Sequence, residues 1–354
     1  MADQQKDRVS GRGLRLIRAP IIATRADDVT FRHFLSWKPL FYTGLLPICR
    51  ALGPVHGDAF LGTIGRSLAT AWPPRRRELS ESLERVRETL GARWDQDRTL
   101  TALEGNVLRF LARDCPLDGD SDDRFFGRFE VRGFDHLEAA RRQGRGVILV
   151  GSHLGAHLSA PHWLYRKGLP IRMLIQRPRH VSRFLQSQFD NEHGPHPQRG
   201  FFLNRQLSPE DASKRIFRTR AALRDGLVVY LKGDVPWFGP NTRPGSLLGH
   251  SQAFQSLWAE LAALFRAPVV PVFCTHLARG RYVLTFEQPW TVARGGEVEA
   301  VARYIARLES EIAAHPSEAA AYLLWPCYGI TPRPALTAIE AARALTRASA
   351  VSAA

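Results

Sequence analysis

Three apolar runs set the architecture of this chain: "GVILVGS" (146–152), "LVVYLKGD" (227–234) and "PVVPVFCTHLA" (268–278). Each is nearly continuous in Val, Ile, Leu and Phe, with no polar alternation. That is the pattern of a strand buried on both faces of a parallel sheet. Parallel neighbours need long crossovers, usually helical. The sequence supplies them. "FDHLEAARRQG" closes at Gly144 before the first run, and "SPEDASKRIFRTRAALRDG" starts with a cap at Ser208 and closes at Gly226 before the second. "SQAFQSLWAELAALFRA" precedes the third. Shorter strands are predicted in "FGRFEVRG", "PIRMLIQ" and "RYVLTFEQPW", and one more helix in "GEVEAVARYIARLESEIAAHP". The expected fold class is α/β: a mixed, mostly parallel sheet flanked by helices, with a helical N-terminal portion.

That helical portion is read from "RRRELSESLERVRETLG", where Leu79, Leu83, Val86 and Leu90 recur at helical spacing, and from "TLTALEGNVLRFLAR". The loop "PLDGDSDDR" divides it from the strands. The organisation predicted is a flexible segment over 1–30 and a single domain over 31–330, followed by an Ala-rich tail over 331–354. Within the domain, 31–115 is helical and 128–330 is the α/β core.

The formal net charge is +15, almost all of it arginine. A field of that sign favours anionic partners such as an acidic membrane surface or an acidic carrier protein. No nucleic-acid-binding module is recognisable, so no nucleic acid is expected. Cys49, Cys115, Cys274 and Cys327 are scattered without CxxC spacing, which predicts neither a metal site nor a disulfide framework. No stretch reaches eighteen apolar residues, and no transmembrane helix is predicted. "FLSWKPLFYTGLLPICRALG" is interrupted by Lys38, Pro39, Pro47 and Arg50. It reads as an interfacial segment or a buried helical hairpin.

Functional groups of open α/β sheets gather beyond the carboxyl ends of the strands. There the first run delivers Ser152 and His153, and the second delivers Lys232 and Asp234. A histidine at such a place titrates near neutrality and can deprotonate a hydroxyl. It can equally cap the helix that follows, and the local pattern leaves both readings open. "GHSQA" approximates a nucleophile elbow, but a Pro- and Gly-rich stretch precedes it where a buried strand is required. Ser251 therefore reads as the N-cap of the helix carrying Phe254, Leu257 and Leu261.

"GRGVILVGSHLGAH" resembles the histidine block of the bacterial lipid A-type acyltransferases, within the lysophospholipid acyltransferase-like superfamily. Four further blocks follow in the family's order: "RPRHVSRFLQSQFDNEHG", "AALRDGLVVYLKGDVPW", "GSLLGHSQAFQSLWAELAALFRAPVVPVFCTH" and "LESEIAAHPSEAAAYLLWPCYGI". The resemblance implies transfer of a fatty acyl group from acyl carrier protein or acyl-CoA, as co-substrate, to a hydroxyl of a lipid or glycolipid. It implies no metal and no tightly held cofactor. It makes His153 the general base, while the +15 charge without an adequate apolar run places the protein peripherally on the cytoplasmic face of the inner membrane. Arg177 and Arg205 are the implied candidates for binding a headgroup or phosphopantetheine phosphate, and Ser152 and Lys232 are further substrate-binding candidates from their place at the strand ends.

The family motif is His, four residues, then Asp or Glu, and this chain carries Leu158 at the acidic position. A carboxylate there fixes the imidazole tautomer and stabilises the imidazolium. Leucine does neither. Asp234 is one substitute, and a neutral relay through His157 or His162 is a second. The third reading is a catalytically impaired lipid-binding or scaffold protein on the same fold.

Overall fold

The computed structural model describes residues 39–191, 198–203, 209–237 and 241–328. The predicted N-terminal segment, the Ala-rich tail, the cap at Ser208 and Arg205 lie outside these residues.

The architecture is the expected α/β one. Strands β1 (Phe129–Arg132), β2 (Val147–Gly151), β3 (Ile171–Met173), β4 (Val228–Lys232), β7 (Val269–His276) and β8 (Tyr282–Phe286) form one sheet in the order β1-β8-β7-β2-β4-β3. β2 is parallel to both β4 and β7, and β3 is parallel to β4. β7 and β8 form an antiparallel pair, which makes the sheet mixed. The continuous apolar runs are central for the reason that made them legible. Every residue of β2 and β4 is buried, because both sheet faces are covered.

Period-two alternation sorts the strands' side chains between two cores. Ile148, Val150, Val229, Leu231 and Phe273 join one. Val147, Leu149, Val228, Tyr230 and Val272 join the other. The helices Pro73–Leu90 and Gln96–Ala112 lay Leu79, Leu83, Val86, Leu100 and Leu103 into the first core, as their spacing predicts. Asp95 caps the second of these, accepting from Arg98 N at 2.8 Å. The helix Leu46–Ala71 is broken at Gly53, whose φ of 69° lets the chain turn ahead of Pro54.

One element differs from expectation. Residues 242–255 are an antiparallel hairpin, β5 (Thr242–Leu247) with β6 (His250–Gln255). Its two-residue turn places Leu248 and Gly249 at φ 53° and 79°. Positive φ at both turn positions matches the twist of paired strands. Ser251 accordingly lies within β6, and the helix begins only at Leu257, after Ser256. The N-cap reading of Ser251 is corrected on that ground.

Candidate active site

β2 and β4 are neighbours whose last residues, Gly151 and Lys232, stand opposite each other in register. The two chains leave the sheet side by side, and Gly233 N donates to Gly151 O at 2.9 Å. A side chain at Gly233 would collide with the Tyr304 ring and with Val150, both under 3.0 Å from the position of a Cβ. Glycine there lets the Lys-Gly-Asp step turn tightly. The step carries Asp234 back towards the first residues after β2.

His153 and Asp234 meet at this edge. His153 Nδ1 lies 3.0 Å from Asp234 Oδ1, and the His153 backbone N–H donates to Oδ2 at 2.6 Å. Tyr322 donates its hydroxyl to the same Oδ2 at 2.6 Å. Tyr328 Oη lies 3.3 Å from His153 Nδ1. The carboxylate therefore grips both main chain and ring of one residue. Its Oδ1 calls for a proton on Nδ1, which leaves Nε2 unprotonated in the neutral ring. Among the described residues no hydrogen bond engages Nε2, and the His153 side chain is 19% exposed while that of Asp234 is fully buried. Burial pushes the Asp234 carboxyl up, but the His153 charge and hydrogen bond, the Lys232 charge and the Tyr322 hydroxyl together hold it below the usual carboxylate range.

Lys232 and Ser152 are turned towards the protein. The Lys232 ammonium donates to the Ser152 carbonyl, and Ser152 Oγ accepts from Leu154 N at 3.2 Å. Both residues are buried. Burial pushes the Lys232 ammonium down to about 7, with the Asp234 charge opposing the shift. These contacts brace the loop that presents His153. Arg177 is exposed and paired with Asp190, and no described contact joins it to His153 or Asp234.

The two other histidines of the segment do different work. The ring of His157 is centred 5.4 Å from that of His153. Burial pushes its imidazole far below the usual range, and the neighbouring Lys232 and His153 charges act in the same direction. His162 is fully buried, 2.9 Å from Asp114 and stacked between Phe125 and Phe184. No described contact joins it to His153 or Asp234. Leu158 is 2% exposed and packs in the second core, with Ala156, Trp163 and Leu164. It is a packing residue, and Leu158→Ala is expected to lower stability by about 2–5 kcal/mol in denaturant unfolding. Activity per folded molecule should change by less than about threefold, and a larger fall would return position 158 to the site.

Sequence reading missed the tyrosines of 322 and 328, and with them Glu318. Glu318 accepts from Asn106 Nδ2 at 2.7 Å and lies 2.8 Å from His276 Nδ1. A tyrosine 88 or 175 residues from its partner has no local signature. The one available signal was the aromatic density of "AYLLWPCYGI".

Comparison with curated proteins gives no significant match. The sequence pattern of the bacterial lipid A biosynthesis acyltransferases, by contrast, matches residues 26–320. The match spans the helical portion and the α/β core, including both strand ends that carry the His153–Asp234 pair, and the chain therefore belongs to the bacterial lipid A biosynthesis acyltransferase family.

Proposed function

We propose that this acyltransferase moves a fatty acyl group from acyl carrier protein or acyl-CoA to a hydroxyl of a lipid or glycolipid acceptor, with His153 as general base and Asp234 as its orienting carboxylate. The observation that carries this reading is the 3.0 Å contact between His153 Nδ1 and Asp234 Oδ1, at the carboxyl ends of two adjacent parallel strands. His153 Nε2 takes the proton of the acceptor hydroxyl as its oxygen attacks the thioester carbonyl. The imidazolium that forms is stabilised by Asp234. Collapse of the tetrahedral intermediate breaks the C–S bond, and the departing thiolate takes the proton back from His153. No covalent enzyme intermediate is needed. The test is a transfer assay by mass spectrometry, with acyl carrier protein and CoA thioesters as donors and a lipid A precursor or a lysophospholipid as acceptor. Transfer to either acceptor supports the reading, and failure with every pairing would sink it.

The same proposal places the chain peripherally on an anionic membrane, at the cytoplasmic face of the inner membrane. No helix of the described residues is long and apolar enough to cross a bilayer. The helical segment Leu40–Ala71 nevertheless exposes Leu40, Ile48, Leu52 and Val55 while burying Phe41, Leu46 and Cys49. Exposed aliphatic side chains on a chain of charge +15 suit a surface that is both apolar and acidic. Binding to vesicles containing phosphatidylglycerol should exceed binding to phosphatidylcholine vesicles and weaken in high salt, which screens the charges. Ile48→Asp combined with Leu52→Asp should lower vesicle affinity by about tenfold or more. Attachment to bacterial membranes that only detergent reverses, indifferent to salt and alkaline pH, would contradict peripheral binding.

A further inference from the structure

The segment after the helix Glu297–Ala314 folds across the His153 loop and touches it repeatedly. Glu318 O accepts from Gly155 N at 3.1 Å. Tyr322 reaches Asp234, and the Trp325 ring lies 5.3 Å from the His153 ring. Tyr328 reaches His153 Nδ1. Through Glu318 the same segment is tied to Asn106 of the helical portion and to His276 at the end of β7. Residues 316–328 are thus a clasp over the site, anchored at one end by Glu318.

The Asp234 carboxylate shows what the clasp holds. Its Oδ2 accepts two hydrogen bonds at 2.6 Å, one from the His153 main chain and one from the Tyr322 hydroxyl. Both lone pairs of that oxygen are then used. Rotation of the carboxylate would break both bonds, so Oδ1 is left aimed at the imidazole. Tyr322 is buried, and its ring packs edge-on against Tyr328 at 4.9 Å.

We propose that Tyr322 is a positioning residue for acyl transfer: its hydroxyl fixes the Asp234 carboxylate and shares its charge, and so sets the orientation and basicity of His153. This rests on the general-base reading of His153 given above. The titratable and charged groups facing the pair are Tyr230 and Lys232 from β4, His157 from the loop after β2, Tyr304 from the helix Glu297–Ala314, and Tyr322, Cys327 and Tyr328 from the clasp. Of these, Tyr322 is the one whose side chain donates to Asp234.

The test is Tyr322→Phe, which removes one oxygen and keeps the ring in place. The expected loss is about tenfold to a hundredfold in kcat, the worth of a hydrogen bond to a charged group, with KM within about twofold. The acid limb of the kcat/KM profile should move to higher pH, because a carboxylate without the tyrosine donor keeps more charge for the imidazolium. Added to Asp234→Asn, Tyr322→Phe should cost less than about twofold more, since its route of action is already gone. If Tyr322→Phe does not fold, 3-fluorotyrosine in place of Tyr322 keeps both ring and hydroxyl. Its stronger donor should move the acid limb to lower pH. Unchanged kcat and acid limb in Tyr322→Phe, losses that multiply in the double variant, or an unmoved limb with fluorotyrosine would each overturn the proposal. Full activity of His153→Ala would instead overturn the general-base reading beneath it, so the two failures are distinguishable.

Discussion

His153→Ala is expected to reduce acyl transfer to background, a loss of about a thousandfold or more, while the protein folds as before. A positioned general base contributes roughly 10²–10⁴ to rate. In this site it also carries the charge that Asp234 is placed to neutralise. Alanine keeps the backbone N–H that donates to Asp234 Oδ2, and Tyr322 still donates to the same oxygen, so the carboxylate retains two of its three partners. The His153 side chain is partly exposed, and its removal opens no sealed cavity. The thermal midpoint should therefore move by only a few degrees. Transfer assayed with a saturating thioester donor, beside a thermal melt of the same preparation, separates the two effects. Activity near wild type would take His153 out of the mechanism.

That result also separates the enzyme from a scaffold of the same fold. A lipid-binding protein that had lost catalysis with its family carboxylate would show no transfer for His153→Ala to remove. Its binding of lipid would then be untouched by the substitution.

What the sequence makes legible follows from where the determining interactions lie along the chain. The strands β2, β4 and β7 are local properties of apolar runs, and their parallel order follows from the helices between them. The meeting of His153 with Asp234 is legible for a related reason. Each residue stands just beyond a buried run, and neighbouring parallel strands end together. The hairpin of 242–255 is not legible from periodicity, because its determinant is backbone conformation at Leu248 and Gly249 and only the glycine announces it. Ser152 and Lys232 are read as substrate-facing because polar residues at strand ends usually are. Only the three-dimensional structure shows that the lysine is spent on the serine carbonyl. Tyr322 is further still from local reading, since its contact with Asp234 spans 88 residues.

Asp234→Asn is expected to be about as damaging as loss of the histidine, by roughly three to four orders of magnitude in kcat. The reason lies in the hydrogen-bond polarity of the site. Asp234 faces three donors: His153 N–H and the Tyr322 hydroxyl at Oδ2, and the imidazole Nδ1–H at Oδ1. An asparagine offers one accepting oxygen and one donating NH₂ in the same space. Set with its oxygen towards the main chain and Tyr322, it satisfies two donors and turns its NH₂ on His153 Nδ1. The imidazole must then accept there and carry its proton on Nε2, which is the wrong tautomer for a base. Set the other way, the amide donates into two donors in a fully buried position, at a cost of roughly 1–3 kcal/mol for each group left without a partner. The first arrangement wins because it leaves no group unsatisfied. Asp234→Asn should therefore fold nearly as stably as the parent, bind donor thioester with an unchanged KM, and show the Nε2–H tautomer of His153 by ¹⁵N NMR. A loss in kcat of less than a few-fold, with Nδ1–H retained, would show that Asp234 does not orient the base.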